Sequence, residues 1–274
     1  KAILLAQKFK PKPHSHAILP AKDSDAWAVV AGVKNCDRLG AYCLAKLPTV
    51  LPEGRYRLEG AKAGKALFGW LSAQYQFNRF RSKPEAETIH VLLTQDVAAI
   101  PAILAEAKAA ALVRDLVNTP AADMGPAALE QAAENLAAAH KATLTVTRGE
   151  ALEQGYPMIH AVGRAAAKHH APRLIELSWG KADHPVIALV GKGICFDSGG
   201  LDIKPSSGMR LMKKDMGGAA HVLALAQLIM SANLPVRLHM LVAAAENAIS
   251  GDAFRPGDVL KSRKGLTVEI GNTD

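Results

Sequence analysis

The 274-residue chain carries 33 Lys and Arg against 25 Asp and Glu, a formal net charge of +8, with 49% hydrophobic and 21% charged residues. That balance fits a globular protein with a real core, in one large or two modest domains. No apolar run approaches the length of a membrane-spanning helix.

The three cysteines, Cys36, Cys43 and Cys195, form neither a CxxC nor a paired framework, so a reducing, cytoplasmic setting is expected. The first residues hold too short an apolar run for a secretory signal, and with no initiator Met a few residues are expected to precede them. The positive charge is uneven. Residues 1–100 contain fifteen Lys and Arg and eight Asp and Glu, a net +7. A solvated basic surface accounts for this, and no recognised nucleic-acid motif accompanies it. Nucleic-acid binding, or a regulatory role, is the alternative reading, and would show as duplex binding that weakens steeply with salt.

Short strands are expected at residues 4–9 and 17–20, and a helix over 62–80, where Leu67, Trp70, Leu71 and Tyr75 recur near helical spacing. His14 and His16 form an HxH without nearby partners and read as surface residues. IHVLL (89–93) reads as a strand. Pro101 opens a long amphipathic helix that Pro120 stops. It reads as a linking helix (101–120) between a small first domain (1–100) and a larger second one (121–274).

A helix over 126–139 and an alternating strand over 143–147 follow. Strands are then expected at 173–179 and at 185–190, the latter nearly all apolar, as if covered on both faces. The residues after it, through Asp215, read as a glycine-rich loop. A helix over 217–230 and a strand over 236–245 complete a parallel βαβ unit. A last strand is expected at 266–270. The fold class is therefore α/β.

The stretch VGKGICFDSGGLDIKPSSGMRLMKKD (190–215) concentrates the polar chemistry. It has no GxxxxGK[ST] phosphate loop, no GxGxxG and no GxSxG elbow. Cys195, between Ile194 and Phe196, reads as a core thiol. Asp197, Asp215 and Asp274 follow or precede regular elements, and a parallel sheet would gather them at one end. Converging carboxylates raise one another's pKa unless a cation compensates, and oxygen-rich clusters suit divalent metals. The same residues read equally as turn formers and a helix cap. Glu246, at the end of the 236–245 strand, is a further candidate ligand. Lys192 and Lys204 lie among these acids. A neutral lysine can ligate a metal, and a charged one can stabilise an oxyanion.

Residues GKGICFDSGGLDIKPSSGMRLMKKDMGGAA, ENAISGDAFRPGDVLKSRKGLTVEIGNTD and RDLVNTPAADMGP resemble the signature segments of the leucyl aminopeptidases, the M17 cytosol aminopeptidases, across roughly residues 110–274. The first hundred residues match only weakly. The resemblance implies a small variable N-terminal α/β domain and a catalytic domain with a mixed, largely parallel sheet flanked by helices. It implies a metallopeptidase that removes N-terminal amino acids, leucine-like ones preferred, from peptides, through a hydroxide activated by two divalent ions, zinc or manganese.

In that pattern Lys192 ligates one ion as a neutral amine, Asp197 bridges both, Asp215 binds the first and Asp274 the second. Lys204 holds the oxyanion, Met212 lines the side-chain pocket, and Asn272 lies near the substrate backbone. A cytoplasmic homo-hexamer is implied. The family pattern continues past Asn-Thr-Asp into Ala-Glu-Gly-Arg-Leu, whose Glu bridges the ions and whose Arg holds a bicarbonate. The resemblance thus implies that the catalytic domain's C-terminal part lies beyond Asp274 in a longer protein, and that a chain ending there is inactive alone.

Overall fold

The computed structural model describes residues 2–20, 27–83 and 88–274. The chain divides into two compact units, Lys1–Ala111 and Leu112–Asp274. The described elements of the first are α1 (Ala2–Ala6), β1 (His16–Pro20), β2 (Trp27–Ala31), β3 (Gly54–Arg57), α2 (Ala66–Ala73), β4 (His90–Leu93) and the first half of α3 (Ile100–Asn118). β1 and β2 pair antiparallel, and β3 and β4 pair parallel.

Leu44, Leu47, Leu51, Ala66 and Trp70 form its core. The buried indole N–H of Trp70 donates to the His90 carbonyl at 2.9 Å, and His90 Nε2 lies 3.0 Å from the Leu51 carbonyl. The indole N–H and one of the two imidazole nitrogens are thereby satisfied, while the buried His90 Nδ1 has no hydrogen-bond partner among the described residues. The expected strand at 4–9 is instead the helix α1, because a short apolar run carries no period that separates the two. The expected 62–80 helix is confined to α2. Gly60 and Gly64 hold φ of 75° and 45° ahead of it, which keeps that segment out of the helix.

The second unit continues with α4 (Pro126–His140), β5 (Thr143–Arg148), α5 (Gly149–Gly155), α6 (Pro157–Gly163), β6 (Arg173–Trp179), β7 (Val186–Asp197), α7 (Ser206–Met209), α8 (Gly217–Ser231), β8 (Arg237–Asn247), β9 (Val259–Lys261) and β10 (Thr267–Glu269). Its main sheet has the order β5-β6-β8-β7. The β5–β6 and β6–β8 pairs are antiparallel and β7–β8 is parallel, with α8 as the crossover. The sheet is mixed, as expected, and its parallel character is confined to the β7–β8 pair.

Leu129, Ala133, Ile175, Leu177, Cys195, Leu223, Leu238, Met240 and Val242 share one core with α4 and α8 against the sheet. Ala244 faces that core. Its neighbour Ala245 faces the other way, toward Gly163 of α6, where an added Cβ would come within 3.2 Å of it.

Two expectations about β7 change. It runs to Asp197 rather than ending at Val190, so Lys192 and Asp197 are strand residues. It also lies at the sheet edge, with Val186 and Val190 62% and 76% exposed rather than covered on both faces. The glycines that read as loop are where β7 must be thin. A Cβ on Gly191 would come within 2.6 Å of Val222 and 2.9 Å of the Ala219 Cα on α8, and one on Gly193 within 2.7 Å of the Ala243 carbonyl oxygen. β10 also differs, since it pairs with β9 in a separate two-stranded sheet.

Glu130, on α4, is buried and accepts hydrogen bonds from Arg173 at 2.5 Å and from Arg148. Glu130→Ala removes the acceptor and strands the Arg173 guanidinium, which is itself buried. A loss of about 3–5 kcal/mol in urea unfolding free energy is expected. Burial, with the Glu246 charge adding to it, pushes the Cys195 thiol up to about 12, against a smaller opposing pull from Arg173. At pH 8 a thiol reagent should label exposed Cys36 and leave Cys195 intact until the chain is unfolded. Mass spectrometry of the labelled native protein checks this.

Candidate active site

α8 lies close against β7 because glycines on both, Gly191 and Gly218, leave out side chains at the contact. A Cβ on Gly218 would come within 2.9 Å of the Lys192 backbone nitrogen. This close approach sets the 3-10 turn Met212–Met216, which leads into α8, beside Lys192 on the strand. Lys192 Nζ lies 2.6 Å from Asp215 Oδ2. This ion pair engages the buried Asp215 Oδ2, which accepts no further hydrogen bond among the described residues. Asp215, one turn ahead of α8, also sits where a helix N-terminus favours negative charge. Lys213 Nζ donates to the Asn118 carbonyl at 2.6 Å, capping the end of α3 and anchoring the same turn.

The β7–β8 ladder is irregular between Ile194 and Asp197, and Asp197 ends opposite Asn247. The following Ser198-Gly199-Gly200 turn needs φ of 87° and 64° at its two glycines. It folds the Gly199 N–H back onto Asp197 Oδ1 at 2.9 Å. Lys204 returns from this turn with its side chain 15% exposed. Its ammonium lies 3.7 Å from Asp197 Oδ2 and forms a short ion pair with Asp274. The hydrogen bond that Lys204 donates to Asp274 raises the Lys204 pKa, opposed by burial and reinforced by the charges of Asp197, Asp274 and Asp215. Lys204 is therefore a cation at neutral pH.

Asp274 does not arrive by way of a sheet strand, as expected from the sequence, because β10 stands outside the main sheet. Its neighbour Thr273 brings it in. Thr273 is 3% exposed and receives the Asn247 amide on its carbonyl at 2.8 Å. Its N–H donates to Asp202 Oδ2 at 2.8 Å, and its hydroxyl donates to the Gly199 carbonyl at 2.7 Å. Asn272 is exposed and spends its side-chain oxygen on the Asp274 N–H at 2.6 Å. Met212 is half-buried in the turn that carries Asp215. Glu246 is turned away from this set and pairs with His170.

The structure thus brings Lys192 to Asp215, and Lys204 to Asp197 and Asp274. Asn247, Thr273 and Asp202, which tie the three segments together, were not singled out from the sequence. Their bonds span 26 to 74 residues and leave no local pattern. Among the described residues no group of three or more His, Cys, Asp and Glu side chains gathers on one point. The donor chemistry nonetheless suits hard divalent cations. The charges of three carboxylates, Asp197, Asp215 and Asp274, all act on Lys204, and two ammonium groups pair with them.

Residues 111–274 match the model of the cytosol aminopeptidase family catalytic domain, and residues 2–93 match that of the M17 aminopeptidase N-terminal domain. The probable cytosol aminopeptidase of Leifsonia xyli subsp. xyli is 39% identical over 264 residues, 92% of this chain and 51% of its own length. A crystal structure of cytosol aminopeptidase from Coxiella burnetii superposes with a TM-score of 0.92 at 40% identity, over all of this chain and 60% of that one. The bottromycin maturation enzyme BotP, solved in complex with Mn, superposes at 0.88 with 32% identity, over all of this chain and 62% of its own. The chain spans about half the length of the curated relatives it matches. With matches to the family's catalytic and N-terminal domains in their usual order, the chain belongs to the M17 cytosol aminopeptidase family.

Proposed function

We propose that this protein is a metal-dependent aminopeptidase, removing leucine-like residues from the N-termini of peptides, and that the residues around Lys192, Asp197, Lys204, Asp215 and Asp274 carry the reaction. The observation that carries the reading is the alternation of acid and ammonium groups at the end of β7, in a chain of this family. Two divalent cations, zinc or manganese, would supply Lewis acidity and an activated water at neutral pH.

Lys192 and Asp215 would hold one cation, Asp274 the other, and Asp197 both. In the structure the lysine ammoniums occupy the positions between these acids. Loading therefore requires Lys192 to give up its pairing with Asp215 and offer its amine instead. Lys204, kept protonated by its acidic neighbours, is suited to receive the negative charge that develops on the scissile carbonyl oxygen. The free amine of the peptide would lie near Asp215, which restricts cleavage to chain ends. Met212, on the same turn, would line the pocket for the first side chain. Asn272 stands where the substrate backbone would pass, though its own carbonyl is engaged with the Asp274 N–H. A cytosolic homo-hexamer that uses a bicarbonate in proton transfer completes the reading, supported by the family resemblance.

Hydrolysis of leucyl p-nitroanilide by the full-length protein should require added Mn²⁺ and vanish on chelation. Lys192→Ala and Asp215→Ala should each lower it by roughly 100-fold or more, with metal content falling in parallel by atomic emission. Full activity in both variants would sink the assignment. Lys204→Ala is expected to leave metal content unchanged and to lower kcat by about 100- to 1,000-fold with a smaller change in KM. Steady-state kinetics and metal analysis on the same sample separate the two roles.

A further inference from the structure

Asn247 ends β8 directly opposite Asp197, where the parallel ladder closes. It is 5% exposed. Its side-chain amide group donates twice, to Asp197 Oδ1 at 2.9 Å and to the Thr273 carbonyl at 2.8 Å. Its side-chain oxygen, equally buried, has no partner. The orientation is dictated by chemistry. Both neighbours are acceptors only, so a flipped carboxamide would set oxygen against oxygen twice. The main chain of Asn247 is fixed as well, since Ser198 donates to its carbonyl from both N–H and Oγ, at 3.1 Å and 2.8 Å.

A buried acceptor without a partner destabilises a fold. An apolar side chain of the same volume would fill this space without the orphaned oxygen, and would instead take the donor from the Thr273 carbonyl, so filling space does not explain the carboxamide. What it does, and what an apolar group cannot do, is bridge two segments that each carry a carboxylate of the site. One N–H holds Asp197 Oδ1, together with the Gly199 N–H, and leaves Oδ2 as the oxygen turned toward Lys204. The other N–H holds the carbonyl of Thr273, the residue before Asp274.

We propose that Asn247 is a positioning residue for metal binding: its two amide protons fix the orientation of Asp197 and the approach of Asp274 to it, so that both carboxylates are set before a cation arrives. The inference rests on the metal reading above and concerns how this chain prepares for it.

The test is Mn²⁺ titration of the full-length protein by isothermal calorimetry, for the parent and for Asn247→Leu, with the melting temperature of each measured in chelator. The substitution removes both donors and the unpartnered oxygen while keeping the volume. The expected result is a metal-free melting temperature within a few degrees of the parent and Mn²⁺ binding weaker by roughly 10- to 100-fold. Unchanged Mn²⁺ affinity in Asn247→Leu overturns the inference and leaves the metal reading standing. A parent protein that binds no Mn²⁺ overturns both.

If the variant does not fold, the parent protein decides by nitrogen-15 NMR. The Asn247 side-chain amide protons should exchange slowly with water and broaden on sub-stoichiometric Mn²⁺. Fast exchange, or indifference to Mn²⁺, overturns the inference.

Discussion

The arrangement at the end of β7 depends on how closely α8 can approach the strand. Gly191 on β7 and Gly218 on α8 leave out the two side chains that would hold the elements apart. The helix therefore begins within reach of the strand backbone, and the 3-10 turn ahead of it delivers Asp215 to Lys192. The parallel β7–β8 pairing does the rest. It places Asp197 beside Asn247, and through that residue beside the segment that ends in Asp274. A bulkier residue at either glycine would separate charges that now stand within ion-pair distance.

Charge balance is the second constraint. Asp197 and Asp215 are largely withdrawn from water, and both act with Asp274 on the charge of Lys204. Such a cluster is tolerable only with compensating positive charge. In this structure two lysines provide it, one on the strand and one on the returning loop. They differ in setting. Lys204 is enclosed and touches two acids, whereas the Lys192 side chain is 60% exposed and touches one. The enclosed lysine is suited to remain a cation during a reaction. The open one can move aside.

Much of the catalytic unit was readable from local pattern. β6 was expected at its observed limits, and α4, α8 and β8 within one or two residues, because long periodic segments with clear breakers declare themselves. The limits of β7 were misread because glycine signals both turns and tight strand packing, and only the partner element decides which. Two short strands, the apolar β2 and the arginine-bearing β3, and the helices α5 and α6 carried too little period to be expected at all. At the site, Lys192, Asp197, Lys204 and Asp215 stand out by clustering within one stretch. Asn247 and Thr273 do not. A buried amide and a hydroxyl gain their meaning only from partners far along the chain.

The strand that carries Lys192 leaves a row of backbone groups without a neighbouring strand among the described residues, with Val186 and Val190 exposed along it. Such a row is a template for pairing with a further strand, from the same protein or from another chain. Lys192 is the one basic residue along β7. Replacing it removes a proposed ligand and the strand's one positive charge together. Any loss of function in a Lys192 variant therefore has to be read alongside its state of aggregation.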